Sequence, residues 1–161
     1  MTARIVPTDL RVPLAQLDGA GGVAAWMQAG SDKIPLHGFL RLQINEVGEG
    51  RATATAQLIE DLQGQVAPLH GAVVFAMAAF ARGAATWGAW DPATTLVIAQ
   101  EAHLRLLGQP RSSPITAAGR LVHRGRRTLS TEAVVTDGGE YQLARCSTTY
   151  LIIEEYGGNP T

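Results

Sequence analysis

The sequence predicts an α+β domain: a curved antiparallel sheet of about six strands wrapped around one long central helix, preceded by a short N-terminal helix. Three observations carry this expectation. The segment from Gly71 to Trp87 is rich in Ala, Met and Phe, contains no proline and is apolar nearly all round, so as a helix it must be buried. Two strand-like segments precede it and four follow it. The links between these strands are short and carry glycine, which joins antiparallel neighbours and makes one continuous sheet the cover for the helix.

Residues 1–33 read as an arm, in which Val23 to Gln28 makes a short amphipathic helix after the Gly19–Gly22 cluster; the main domain covers residues 34–153. From Leu36 to Val47 the run Phe39, Leu40, Leu42, Ile44 and Val47 predicts a strand, and Gly48-Glu49-Gly50 supplies a tight turn. Arg51 to Ile59 predicts a second strand, whose alternating Ala and Thr residues suit a face pressed against something bulky, namely the helix. Gly64 to Pro68 reads as a loop. The helix itself, at about 1.5 Å per residue, is roughly 25 Å long. After Asp91-Pro92, strands are predicted over Thr94–Leu107, Ser113–Arg124, Thr128–Thr136 and Tyr141–Ile153, with turns at Gly125 and at Asp137-Gly138-Gly139. Residues 154–161 read as a frayed tail. An open six-stranded sheet has unpaired edges, which predicts a homodimer or homotetramer joined along the Thr94–Leu107 strand.

Bulk properties exclude several function classes. A chain of 161 residues that is 46% hydrophobic suffices for one domain with one core. With a net charge of -1 and 17% charged residues, no global field draws it to nucleic acid or to an anionic membrane. Any anionic ligand has to be met by a local basic cluster. A lone Cys146 excludes an internal disulfide and a thiolate metal set. The apolar stretch Val66–Trp90 is broken by His70, Arg82 and several glycines, so it reads as a buried helix rather than a membrane span. Met1 to Pro13 lacks the basic, apolar and cleavage regions of a signal peptide, and the expected location is the cytoplasm. No Gly-x-Ser-x-Gly elbow, phosphate-binding glycine loop or zinc-type histidine pair is present.

Leu69-His70-Gly71-Ala72 at the head of the Ala-rich helix resembles the Leu-His-Gly-Gly element of the PaaI-like acyl-CoA thioesterases of the hotdog-fold superfamily. Val97 to Leu107 resembles that family's long central strand, and Leu121-Val-His-Arg-Gly-Arg-Arg127 resembles its Val-His-Arg-Gly-Arg-Arg turn. Asp137-Gly-Gly-Glu140 through Tyr150 is similar to its closing hairpin and strand. Four blocks in order over residues 36–153 imply the hotdog fold and hydrolysis of a small to medium acyl-CoA thioester, with coenzyme A as part of the substrate and neither metal nor separate cofactor.

The residues admit that chemistry. Gly71 stands where the helix begins, so its N–H and the helix dipole can polarise a thioester carbonyl and stabilise the oxyanion; the same glycine would also let the helix pack closely on the sheet. His70 and Gln65 are candidate polar positioners, His70 as a helix-entry residue bonded to backbone rather than as a base. His123, Arg124, Arg126 and Arg127 make the one dense basic cluster and straddle a turn at Gly125. On charge alone this is a solvated hairpin tip. With the resemblance, Arg124, Gly125, Arg126 and Arg127 become the expected contacts for the phosphates of coenzyme A.

The resemblance fails at the chemical positions. The family's helix carries an Asp or Glu nine residues after the motif His, where this chain has Ala79. An Asn six residues before that His is here Gly64, flanked by Gln63 and Gln65, and a hydroxyl on the central strand falls at Ala99. Substitutes are few. Glu101 and His103 share a strand face, but Ile98, Ala102, Leu104 and Leu106 form the apolar face expected to meet the helix, which turns Glu101 away. Glu60 and Asp61 precede the site loop and would serve a partner's pocket instead. Either a carboxylate comes from elsewhere or hydrolysis has been lost, and the alternative reading is a non-catalytic hotdog protein that binds an acyl-CoA.

Overall fold

The computed structural model describes residues 19–65, 67–91 and 94–153, with side chains from residue 22; the chain before residue 19 and the tail 154–161 lie outside the described residues. Two helices come first, α1 (Gly19–Ser31) and α2 (Pro35–Phe39). The second corrects the expectation of a strand from Leu36 onward. Pro35 occupies the first turn of α2, where its missing N–H is not needed, and Leu36, Phe39 and Leu40 stand at helical rather than alternating spacing. Strand β1 is Gln43–Gly48, and a turn through Glu49 and Gly50, both at positive φ, leads to β2 (Arg51–Ala56). A 3-10 turn at Glu60–Leu62, the central helix α3 (Gly71–Ala84) and strands β3 (Leu96–Leu106), β4 (Ile115–Arg124), β5 (Thr128–Thr136) and β6 (Gln142–Ile153) follow.

All six strands form one antiparallel sheet in the order β1-β2-β4-β5-β6-β3. Its concave face holds α3, as the run of small and apolar residues demanded. Val74, Met77, Ala78 and Ala81 of the helix pack on Ala54, Ala117, Ala133 and Val135 of the sheet, all of them buried. Backbone meets backbone at Gly119 of β4: a Cβ there would run into the carbonyl of Ala81 and the amide of Arg82. At the C-terminal end of α3, Val23, Trp26 and Met27 of α1 cover Val47, Ala52 and Trp87, and the rings of Trp26 and Trp87 lie 4.8 Å apart. The Asp137 carboxylate organises the β5–β6 turn by accepting backbone N–H bonds from Arg111, Gly139 and Tyr141 at 2.9, 3.0 and 2.9 Å. Those bonds, Arg111's first, hold its pKa below the ordinary carboxylate value.

The two sheet edges differ. At β1 the Gln28 side chain of α1 stands in for a neighbouring strand, donating to the Leu42 carbonyl at 3.1 Å and accepting from the Ile44 N–H at 2.8 Å. At β3 nothing among the described residues pairs with the outer edge. No helix among the described residues is long and apolar enough to cross a membrane.

The contact at Gly119 gives a sharp expectation. Gly119→Ala places a methyl group against helix backbone that cannot rotate away, so stability falls by at least about 2 kcal/mol. For a chain of this size that is a loss of roughly 4 to 8 °C in Tm, read by thermal unfolding; an unchanged Tm would show that helix and sheet are not in contact there.

Candidate functional site

One flank of α3 is left uncovered by the sheet. Gly71, Phe75, Ala79 and Arg82 recur along it at helical spacing, and β3 runs past it on the far side. Two cavities open along this flank, of about 490 Å³ at the head of the helix and about 550 Å³ halfway along. A third depression, of about 440 Å³, lies on the outer face of the sheet among the exposed His103, Arg105 and Arg145. It shares no residue with the helix flank and offers no convergent chemistry.

The cavity at the head of the helix brings together Gln65, His70 and Gly71. His70 is the N-cap of α3: its Nδ1 accepts the N–H of Ala72 at 3.0 Å, so a proton on the neutral ring sits on Nε2. That bond makes His70 an orienting residue for the helix end. The N–H of Gly71 has no hydrogen-bond partner among the described residues, as expected for the first turn of a helix. A Cβ at Gly71 would touch only Leu106 of β3, at 3.1 Å. Gln65 is exposed. Gln109, which the sequence reading passed over, lines the same cavity and accepts the Leu69 N–H at 3.3 Å. It lies 39 positions beyond His70 in the β3–β4 link, so no local pattern could have marked it.

The second cavity contains Ala79, the position of the missing acid, and Ala99. No Asp or Glu lines either cavity among the described residues. Glu101 and His103 are exposed on the opposite face of β3, where Glu101 accepts a bond from Thr149 Oγ1 at 2.9 Å. Glu60 and Asp61 are exposed in the 3-10 turn and line neither cavity. One detail of β3 differs from expectation. A bulge between Ala99 and Glu101 shifts the alternation, so that Ala99 rather than Ile98 faces the helix, and Ile98 is 44% exposed.

The titratable groups that do reach Ala79's cavity are His37, Arg82 and Tyr150. His37 comes from α2, which no strand-like reading would have placed here. Its Nδ1 lies 2.9 Å from the hydroxyl of the buried Ser31, and its ring meets Phe80 edge-on at 5.1 Å. Burial lowers its pKa, which favours the neutral imidazole. Tyr150 has a pKa raised by burial, against which the neighbouring Arg82 charge acts. No group of three His, Cys, Asp or Glu side chains among the described residues is arranged to hold a metal ion.

The basic turn is elsewhere. Arg124 donates through Nε to the Ala89 carbonyl at 2.8 Å, just past the C-terminal end of α3, and Arg126 and Arg127 are exposed beside it around Gly125. The fourteen residues of α3, roughly 21 Å, therefore separate this cluster from Gly71 within one chain.

No protein-family model and no curated protein sequence matches the chain. Solved structures do. A thioesterase from Haemophilus influenzae superposes with a TM-score of 0.71 at 18% identity, covering 78% of this chain and 87% of its own. The PaaI protein of the Escherichia coli phenylacetic acid degradation operon gives 0.72 at 16% identity, covering 85% and 98%, and a thioesterase family protein from Silicibacter pomeroyi gives 0.72 at 18%, covering 82% and 98%. The fold is the hotdog fold. Its structural neighbours are PaaI and other thioesterase-family hotdog proteins, and the helix expected for that fold is α3.

His37 makes hotdog stability depend on pH with a defined sign. Its folded pKa lies below the unfolded value of 6.5, so the unfolded chain binds the proton more readily. Stability from this group is full above about pH 6.5 and declines as pH falls from there toward its lower folded pKa. His37→Gln retains a polar partner for Ser31 and removes the titration. Tm measured between pH 7.5 and pH 5 should fall less in the variant than in the native chain, and parallel curves would remove His37 from the buried set.

Proposed function

We propose that the protein hydrolyses an acyl-CoA thioester on the open flank of α3. The unpartnered Gly71 N–H at the head of a fourteen-residue helix carries this reading, because it offers a fixed donor and the positive end of the helix dipole to an incoming carbonyl oxygen. Water adds to the thioester carbon and gives its proton to bulk water, since no Asp or Glu lines the cavity of Gly71 among the described residues. The oxyanion rests on Gly71 N–H. Collapse of the intermediate breaks the C–S bond, and water returns a proton to the departing sulfur, so the enzyme ends as it began. His70 and Gln65 orient the helix end and the substrate. The thioesterase names of the structural neighbours support the reaction class.

Two copies complete the site. Antiparallel pairing of the free β3 edges about a two-fold axis would extend the sheet, and it would set the Leu106 end of one β3 beside the Leu96 end of the other. The basic turn lies at the Leu96 end, where the Ile152 N–H bonds to the Arg127 carbonyl and Ile153 pairs with Leu96. A second copy would thus bring its arginines to the end that holds Gly71, which a single chain does not do. Light scattering at micromolar concentration is expected to give a dimer or tetramer, and a persistent monomer would remove this part of the reading. Because the pairing delivers phosphate contacts, Arg126→Ala with Arg127→Ala should weaken coenzyme A binding at low salt without dissociating the oligomer.

A second reading, an acyl-CoA-binding protein without turnover, is favoured by Ala79 alone. One pair of variants separates the two. His70 is already extended, at φ −70° and ψ 134°, so Gly71→Pro is accommodated at the first helical position while its N–H is lost. Gly71→Ala keeps that N–H and adds only a methyl near Leu106. Thiol release should fall about 10²- to 10³-fold in the proline variant and far less in the alanine variant. Equal rates in both would show that the amide is not an oxyanion donor.

A further inference from the structure

Among the described residues Arg82 is a buried cation without an anion. It is 2% exposed, in the last turn of α3, and its Nε is buried with no hydrogen-bond partner. Its Nη1 donates to Cys146 Sγ at 2.7 Å, its Cζ lies 5.0 Å from the Phe75 ring centroid, and the Tyr150 hydroxyl is beside it. None of these is a carboxylate. The ion pairs shown by the described residues, Glu101–His103 and Arg120–Glu132, are on the surface and do not involve it. Arginine is almost never fully buried unless paired, because removal from water costs several kcal/mol that only an opposite charge or full hydrogen bonding offsets. Arg82 has neither, and it borders the 550 Å³ cavity. One turn before it stands Ala79, a methyl group where an acid would form an i to i+3 pair.

We propose that Arg82 is the subsite for a carboxylate at the far end of the acyl group, so that the substrate is the CoA monothioester of a dicarboxylic acid rather than a plain alkyl or aryl thioester. The inference rests on the hydrolase reading for its reacting end. Gly71 and Arg82 are roughly 16 Å apart along the helix axis, and the arginine leans back over Phe75, which leaves on the order of 10 Å between the oxyanion donor and the guanidinium. A medium-length diacid bridges that distance with its thioester at Gly71 and its carboxylate at Arg82. A short one such as succinate does not. Arg82 lines the cavity with its buried Nε unpaired, so a small side-chain shift toward the cavity would let the planar guanidinium meet a carboxylate oxygen, and Phe75, Ala79 and Ala99 supply an apolar wall for the methylenes.

Suberyl-CoA and octanoyl-CoA share the same chain length and differ only in the terminal carboxylate. The native protein should release thiol from suberyl-CoA with kcat/KM about 10- to 100-fold higher, the factor expected for a buried charge-assisted pair. Arg82→Met should invert or abolish that preference while its Tm stays level or rises, because an unpaired buried charge has been replaced by an apolar side chain. Ala79→Asp provides an independent check by supplying an internal counter-ion: the preference should vanish and Tm should rise. Equal and measurable kcat/KM for the two esters with the native protein overturns the subsite, whatever the variants do. Calorimetry with suberic acid monomethyl ester separates the two readings. Binding that requires Arg82, with no thiol release from any CoA ester, keeps the subsite and removes the hydrolase; release from octanoyl-CoA as fast as from suberyl-CoA keeps the hydrolase and removes the subsite.

Discussion

The contact between the backbone of α3 and the backbone of β4 governs the rest of the molecule. Gly119 lets Ala81 approach until no side chain fits between them, and the buried alanines at 54, 56, 117 and 133 pack in the same core. A sheet that presses this tightly on a helix has to curve around it. Because the small residues lie on β2, β4 and β5, the closest contact is off centre and the helix is gripped from one side. Its other side, from Gly71 through Phe75 to Ala79, is then uncovered, and the cavities exist for that reason. The open flank of the helix is a by-product of where the alanines and Gly119 are.

The asymmetry of the edges follows from the same plan. Burying the far end of α3 requires α1 to cover Trp87, and α1 in that position puts Gln28 beside β1, where its amide satisfies the strand's free backbone groups. Among the described residues the β3 edge has no such plug. Ile98, Leu106 and Leu107 are exposed along it, and an exposed apolar edge on a ten-residue ladder is a surface that a second chain can extend. One edge is closed by a side chain and the other is open among the described residues.

What the sequence made legible was whatever had a local cause. The Ala-rich run had to be a buried helix, Asp137-Gly138-Gly139 had to turn, and His70-Gly71 had to begin α3, because each depends on residues within a few positions of one another. The strand β5 was legible to the residue. The features that were missed depend on distant partners. The bulge at Gln100 is set by register with β6, and it alone decides that Ala99 faces the groove. His37 acquires its place only because α2 folds over Phe80, and Gln109 because a link on the other side of the domain returns to Leu69. Arg82 was visible as the one charge in an apolar helix, but its isolation from any acid is a property of the packed core.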